Sequence, residues 1–213
     1  MIIFAVDPGV KNMGYACYDT ERRMFLTFGK FDMQENVRRV EKTKYALLAH
    51  RFCDSMKTLL DRCDVLVIEA QMQAKMKVIQ TALQCFYWSK SVVVGPLAVR
   101  KFFGISMSNY RLNKKTSIEL APFLIRTNAE NTLMNSFKKK DDVADAIILA
   151  RYWDMKERGE TWAKPAVPQH ATLTPVPPKK RKRSRLGSLS TTVSEASKKH
   201  KKKKGVKKAP THI

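Results

Sequence analysis

Acidic residues are scarce: 19 Asp and Glu stand against 41 Lys and Arg in 213 residues, a formal net charge of +22. A balance this basic points to a polyanion as partner. Large apolar side chains are almost missing after Pro165, and between Lys179 and Lys208 fourteen Lys or Arg face one acid, Glu195. Such a segment cannot bury enough surface to offset its chain entropy, so residues 165–213 are expected to be disordered. Cysteines are few, and Cys17, Cys53, Cys63 and Cys85 show no C-x-x-C spacing. That excludes a zinc ribbon or disulfide framework and suits a reducing, intracellular compartment. Long apolar runs are missing too. "MIIFAV" is stopped by Asp7, too soon for a signal segment or membrane span, and no internal repeat is visible.

What remains is one domain and a tail. Residues 1–164 carry 27 basic and 18 acidic residues, a surplus of +9, and the tail carries the other +13. The tail opens on a linker-like "KPAVPQHATLTPVPP". Its runs "KKRKR" and "KKHKKKKGVKK" suit a nucleic-acid-binding arm, or a nuclear address around Lys179 to Arg183, or simple solubilisation.

Within the domain, "MIIFAV", "YACY" and "MFLTFGKF" read as three strands of an antiparallel meander. Val37, Val40, Leu47, Leu48, Phe52, Met56, Leu59 and Leu60 recur near helical period, which predicts one long helix over 37–60. "VLVIEA" reads as a further buried strand. A helix over 76–88, a strand "SVVVG" and helices over 97–103, 114–126 and 142–156 follow. This order predicts an α/β fold with a central mixed sheet flanked by helices.

The chemistry sits in the acids. Asp7 and Glu69 each end an apolar strand, and a right-handed crossover makes those strands parallel, so both carboxylates should meet at one sheet edge. In "KKKDDVADAIILARYW" (138–153), Asp142 and Asp145 stand at i and i+3, on the helix face continued by Ala146 and Leu149. Helix capping explains one aspartate there comfortably, or two, and leaves open what a third carboxylate on the inward face is for. Converging carboxylates raise one another's pKa, and two divalent cations with a taste for hard oxygen, Mg²⁺ or Mn²⁺, would relieve this. Such a pair serves phosphoryl displacement, one ion activating the attacking water and the other stabilising the leaving oxygen. Surface acids with ordinary capping remain the alternative.

"FAVDPGVKNMGYA", "VLVIEAQ" and "DDVADAIILA" together resemble the RuvC-type Holliday junction resolvases of the ribonuclease H-like fold, most of all those of poxviruses, iridoviruses and other large DNA viruses, over about residues 1–155. The resemblance implies that Asp7, Glu69, Asp142 and Asp145 hold the metals, leaving Asp141, one residue out of the motif, to capping. Lys101, and Lys114 or Lys115, resemble lysines near the scissile phosphate; Lys101 and Lys115 are assigned to the chemistry and Lys114 to DNA contact. Gln71, Gln73, Lys75 and Lys77 follow Glu69 and suit phosphate and sugar contacts. Gly9 would leave room for a phosphate and Gly14 would allow a tight entry to the next strand, with plain turn glycines an equal alternative for each.

In such a family the helix bearing Val78, Leu83, Phe86 and Tyr87 helps to form a homodimer. Met72 and Met76 fit core gap-filling better than that interface. The expectation is a dimeric, Mg²⁺-dependent nuclease cutting four-way DNA junctions to 5′-phosphate and 3′-hydroxyl ends. It would need no membrane and no small-molecule cofactor, and would work in a host nucleus or a cytoplasmic viral replication site. Its rivals are a flap or RNA–DNA hybrid nuclease of the same fold, and a non-catalytic DNA-binding protein.

Overall fold

The structure is a computed structural model that describes residues 1–34, 44–105 and 109–163. The tail and the start of the expected 37–60 helix lie outside the described residues. Among the described residues five strands form one sheet in the order β3-β2-β1-β4-β5. They are β1 (Ile2–Asp7), β2 (Met13–Asp19), β3 (Met24–Phe31), β4 (Val65–Glu69) and β5 (Ser91–Val94). The first three pair antiparallel as the expected meander, and β1, β4 and β5 run parallel.

Helices cover both faces. On one side lie α1 (Tyr45–Ser55), α2 (Lys57–Arg62) and α3 (Ala74–Phe86); on the other, α4 (Pro96–Phe102), α5 (Tyr110–Leu124), α6 (Asn128–Ser136) and α7 (Asp141–Glu157). Alternate β1 residues therefore serve two cores. Ile3 and Ala5 face α4, α5 and α7, while Phe4 and Val6 face α1 and α3. Burial on both faces explains why β1 and β4 are unbroken apolar runs rather than alternating ones.

Three elements depart from expectation. The apolar run before β4 is not one helix: the chain leaves helical geometry at Met56, separating α1 from α2. The helix expected at 114–126 spans 110–124, begun by the Asn109 side chain accepting from the N–H of Arg111. Sequence reasoning missed α6, although Thr127 and Glu130 form a capping box that was there to be read. Glu130 does more than cap. Its buried carboxylate also accepts the N–H of Phe25, tying α6 to β3.

The helix that positions the site is α7. Its small residues Ala144, Ala146 and Ala150 are fully buried and let its axis press on the sheet. Among the described residues no helix is long and apolar enough to cross a membrane.

Candidate active site

Backbone pairing sets the first two acids side by side. Val6 pairs with Ile68, so Asp7 and Glu69, one residue further on each, leave the parallel strands at the same edge. α7 delivers Asp142 and Asp145 to that edge because its first turn lies on β2, against Gly14. Gly14 in turn is the register partner of Asp7. Four carboxylates from two strands and one helix thus line one pocket of about 570 Å³, as the sequence predicted.

The pocket also holds Lys11, Lys75, Arg100 and Lys114, yet three of its acids are shifted upward. Burial lifts Asp7 well above the ordinary carboxylate range, and Glu69, Asp145 and Asp142 push it further. Glu69 rises to about 7, through burial and then the charge of Asp145, against the pull of Arg100 and Lys114. Asp145 rises to about 6 through burial, although Ser117, Arg100 and Lys114 each favour its ionised form. Asp7, Glu69 and Asp145 form no ion pair within 4 Å among the described residues, while Asp142 meets Lys139 and, at 3.9 Å, Lys114. Three acids pushed up by burial first and by neighbouring carboxylates second mark where a cation would be favoured.

The described residues contain no tight group of three His, Cys, Asp or Glu side chains ready to hold an ion as they stand. The donor chemistry nonetheless fits a hard divalent cation: four crowded carboxylates, three of them pushed by burial above the ordinary carboxylate range. Asp7, Glu69, Asp142 and Asp145 are the residues that would hold it.

Several sequence assignments change. Gln71 and Gln73 line the pocket, as does Lys75. Gln71 is turned inward: its amide donates to Asp7 Oδ1 at 3.3 Å, and its N–H donates to Gln80 Oε1 at 2.9 Å. It orients a carboxylate as well as facing solvent, and Gln80, a buried polar residue that sequence reasoning passed over, anchors it. Lys77 does not reach the pocket but lines a separate groove with Ala74 and Val78.

Lys101 and Lys115 are likewise misplaced. Lys101 is exposed on α4, and its neighbour Arg100 lines the pocket instead; Lys115 is exposed and 3.6 Å from Glu119, while Lys114 takes the pocket position. Adjacent helical residues point about 100° apart, so a shift of one in a "VRK" or "NKK" run moves the charge off the site. Lys11 also lines the pocket and was not foreseen.

Asp141 is no simple cap. The capping position of α7 is Lys140, with no side-chain cap, and Asp141 lies inside the first turn. Its buried carboxylate accepts from the Lys114 ammonium and lies 3.7 Å from Lys139. Burial opposes its charge, but Lys114 and then Lys139 prevail and hold it below the usual range. The glycines also serve differently. A Cβ on Gly9 would come within 2.6 Å of the Asn12 carbonyl oxygen, so the turn itself needs the glycine, and Gly14 makes room for α7 rather than for a turn.

A sheet of this order, with acids at the ends of β1 and β4 and on the closing helix, defines the ribonuclease H-like fold. The chain belongs to the family described as Poxvirus A22 protein, whose model matches residues 1–157. No curated protein matches the sequence. Among solved structures, the fowlpox virus resolvase in complex with its substrate Holliday junction DNA is 23% identical, with a TM-score of 0.58, over 74% of this chain and 99% of that one. The yeast mitochondrial Holliday junction resolvase Ydc2 is 16% identical, TM-score 0.56, over 71% and 78% of the two chains. Thermus thermophilus RuvC is 14% identical, TM-score 0.51, over 76% and 98%. At these identities the likeness is one of fold.

Proposed function

We propose that the chain is a junction-resolving nuclease that cuts four-way DNA with divalent metal, two Mg²⁺ ions per site, Mn²⁺ substituting. The observation that carries this is the pocket in which Asp7, Glu69, Asp142 and Asp145 meet beside Arg100 and Lys114. Membership of the poxvirus family and the resolvase fold support the choice of substrate.

The four acids hold the ions, with Gln71 fixing the orientation of Asp7. Bound there, divalent ions would activate water and stabilise the leaving oxygen of an in-line displacement. Arg100 and Lys114 lie where they balance charge building on the phosphate. Lys11, Gln73 and Lys75 at the rim hold the backbone of the same strand.

Paired cuts need two sites related by a two-fold axis, which a homodimer supplies. The apolar face available for it is on α3. Leu83 is fully buried in the core and Tyr87 packs on it, so the exposed stripe keeps Val78 and Phe86, adds Cys85, and continues past the helix to Trp88, 81% exposed. The basic tail adds sequence-independent affinity and an address for the nucleus.

The test is Mg²⁺-dependent cleavage of a synthetic four-way junction beside matched duplex, flap and RNA–DNA hybrid. Preferential paired nicking of the junction supports the reading. Equal or better cleavage of flap or hybrid assigns the pocket to another nuclease of this fold, and no cleavage of any substrate leaves a binding protein.

A further inference from the structure

Two adjacent aspartates on α7 do different things. Asp142 lines the pocket; Asp141 does not, although only 7% of its surface is exposed. Asp141 faces α5, where the ammonium of Lys114 meets its carboxylate. Lys114 also lines the pocket and lies 3.9 Å from Asp142, and Lys139 bridges the pair, contacting Asp142 and lying 3.7 Å from Asp141.

We propose that Asp141 is a positioning residue: it holds Lys114 at the pocket wall, where the ammonium can serve the phosphate, and keeps it off the metal-binding oxygens of Asp142. This rests on the junction-nuclease reading above. A mobile lysine next to a set of buried carboxylates is drawn onto them, because an ammonium and a divalent cation compete for the same oxygens. A second carboxylate just outside the pocket eases that competition for Lys114, whose ammonium meets Asp141 and stays 3.9 Å from Asp142, although Lys139 still contacts Asp142. It offers the ammonium a buried partner outside the pocket lining, while the four-carbon stem keeps the charge at the wall. Asp141 touches neither substrate nor metal in this scheme and acts only through Lys114. Capping alone would require no lysine and no burial.

The test uses the full chain on a four-way junction at saturating Mg²⁺, with Asp141→Asn and Asp141→Ser. The asparagine keeps the shape and drops the charge, while the serine drops the carboxylate but keeps a short acceptor for the first N–H groups of the helix. Both variants should melt near the wild type, lose about tenfold or more in kcat and keep the junction KM within about twofold, the pattern of a lost transition-state contact. In a Lys114→Ala background the same substitutions should produce little further loss. Without DNA, Mn²⁺ titrated by calorimetry should bind Asp141→Asn several-fold more weakly than wild type, and this deficit should shrink when Lys114 is also alanine.

Wild-type kcat in either variant, losses that simply add to that of Lys114→Ala, or unfolding of both variants would assign Asp141 to stability and overturn the proposal. A wild-type chain that does not cut junctions would instead sink the functional reading on which it stands.

Discussion

The carbonyl oxygen of Asp142 rests on Gly14: a Cβ built on that glycine would lie 1.9 Å from it. Gly14 is also the strand partner of Asp7. One glycine therefore sets how closely a helix-borne acid approaches a strand-borne one. Gly14→Ala should push the first turn of α7 off the sheet, lowering stability by about 1–3 kcal/mol as overpacking does. It should depress cleavage further than that loss explains, because Asp142 and Asp145 move together. Thermal melting and kcat measured on the folded fraction check this; a normally active alanine variant would mean α7 adjusts freely.

Asp7→Asn and Glu69→Gln should abolish cleavage while junction binding is kept or tightened. These acids repel phosphate and, on the proposed reading, would hold metal, so neutralising them should remove chemistry without removing cationic contacts. Asp142→Asn and Asp145→Asn should fall in the same class, well below Asp141→Asn. Parallel cleavage and binding assays of the five variants decide, and normal turnover by Asp7→Asn is the result that would refute the site.

Cation substitutions should follow the pocket and not the run of basic letters. Arg100→Ala and Lys114→Ala line the site and should reduce kcat by about tenfold or more, whereas Lys101→Ala and Lys115→Ala, both exposed, should stay within about twofold. The reverse ranking in single-turnover kinetics would restore the sequence-based assignment.

Proton linkage supplies a test without DNA. Glu69 is raised from 4.5 to about 7 and Asp145 from 3.8 to about 6. Between those limits the folded chain holds protons that the unfolded chain has released, so their contribution to stability is full below about pH 4 and fades as pH climbs to about 7. The metal-free protein should therefore lose melting temperature over that interval, and Glu69→Gln should flatten the slope. Divalent metal should restore stability at the alkaline end, since it binds the deprotonated acids. A melting temperature that rises steadily from pH 5 to pH 7 in the metal-free chain would contradict the pocket's electrostatics.

The exposed face of α3 and the turn that follows it should carry the dimer. Val78→Glu and Trp88→Glu lie outside the core, so both should fold, sediment as monomers and nick junctions singly rather than in symmetric pairs. Sedimentation velocity with a paired-nick assay settles it; paired nicking by a proven monomer would remove the symmetric scheme.

Much of this arrangement was legible in the chain. Apolar runs ending in Asp7 and Glu69 specify strands buried on both faces with acids at one edge, because period and termination are local properties. The spacing of Asp142 and Asp145 commits them to one helix face.

What the sequence could not decide was which member of each adjacent pair turns inward. Arg100 or Lys101, Lys114 or Lys115, Asp141 or Asp142 differ by one residue, and one residue is about 100° of helix. Only the docking of α4, α5 and α7 on the sheet resolves that angle. The same holds for Leu83 and Val78, which share a helix but face opposite environments, and for Met72, expected in the core yet 92% exposed at the pocket rim. Local periodicity says which residues share a face; the long-range contact that places Asp142 over Gly14 says which face meets the chemistry.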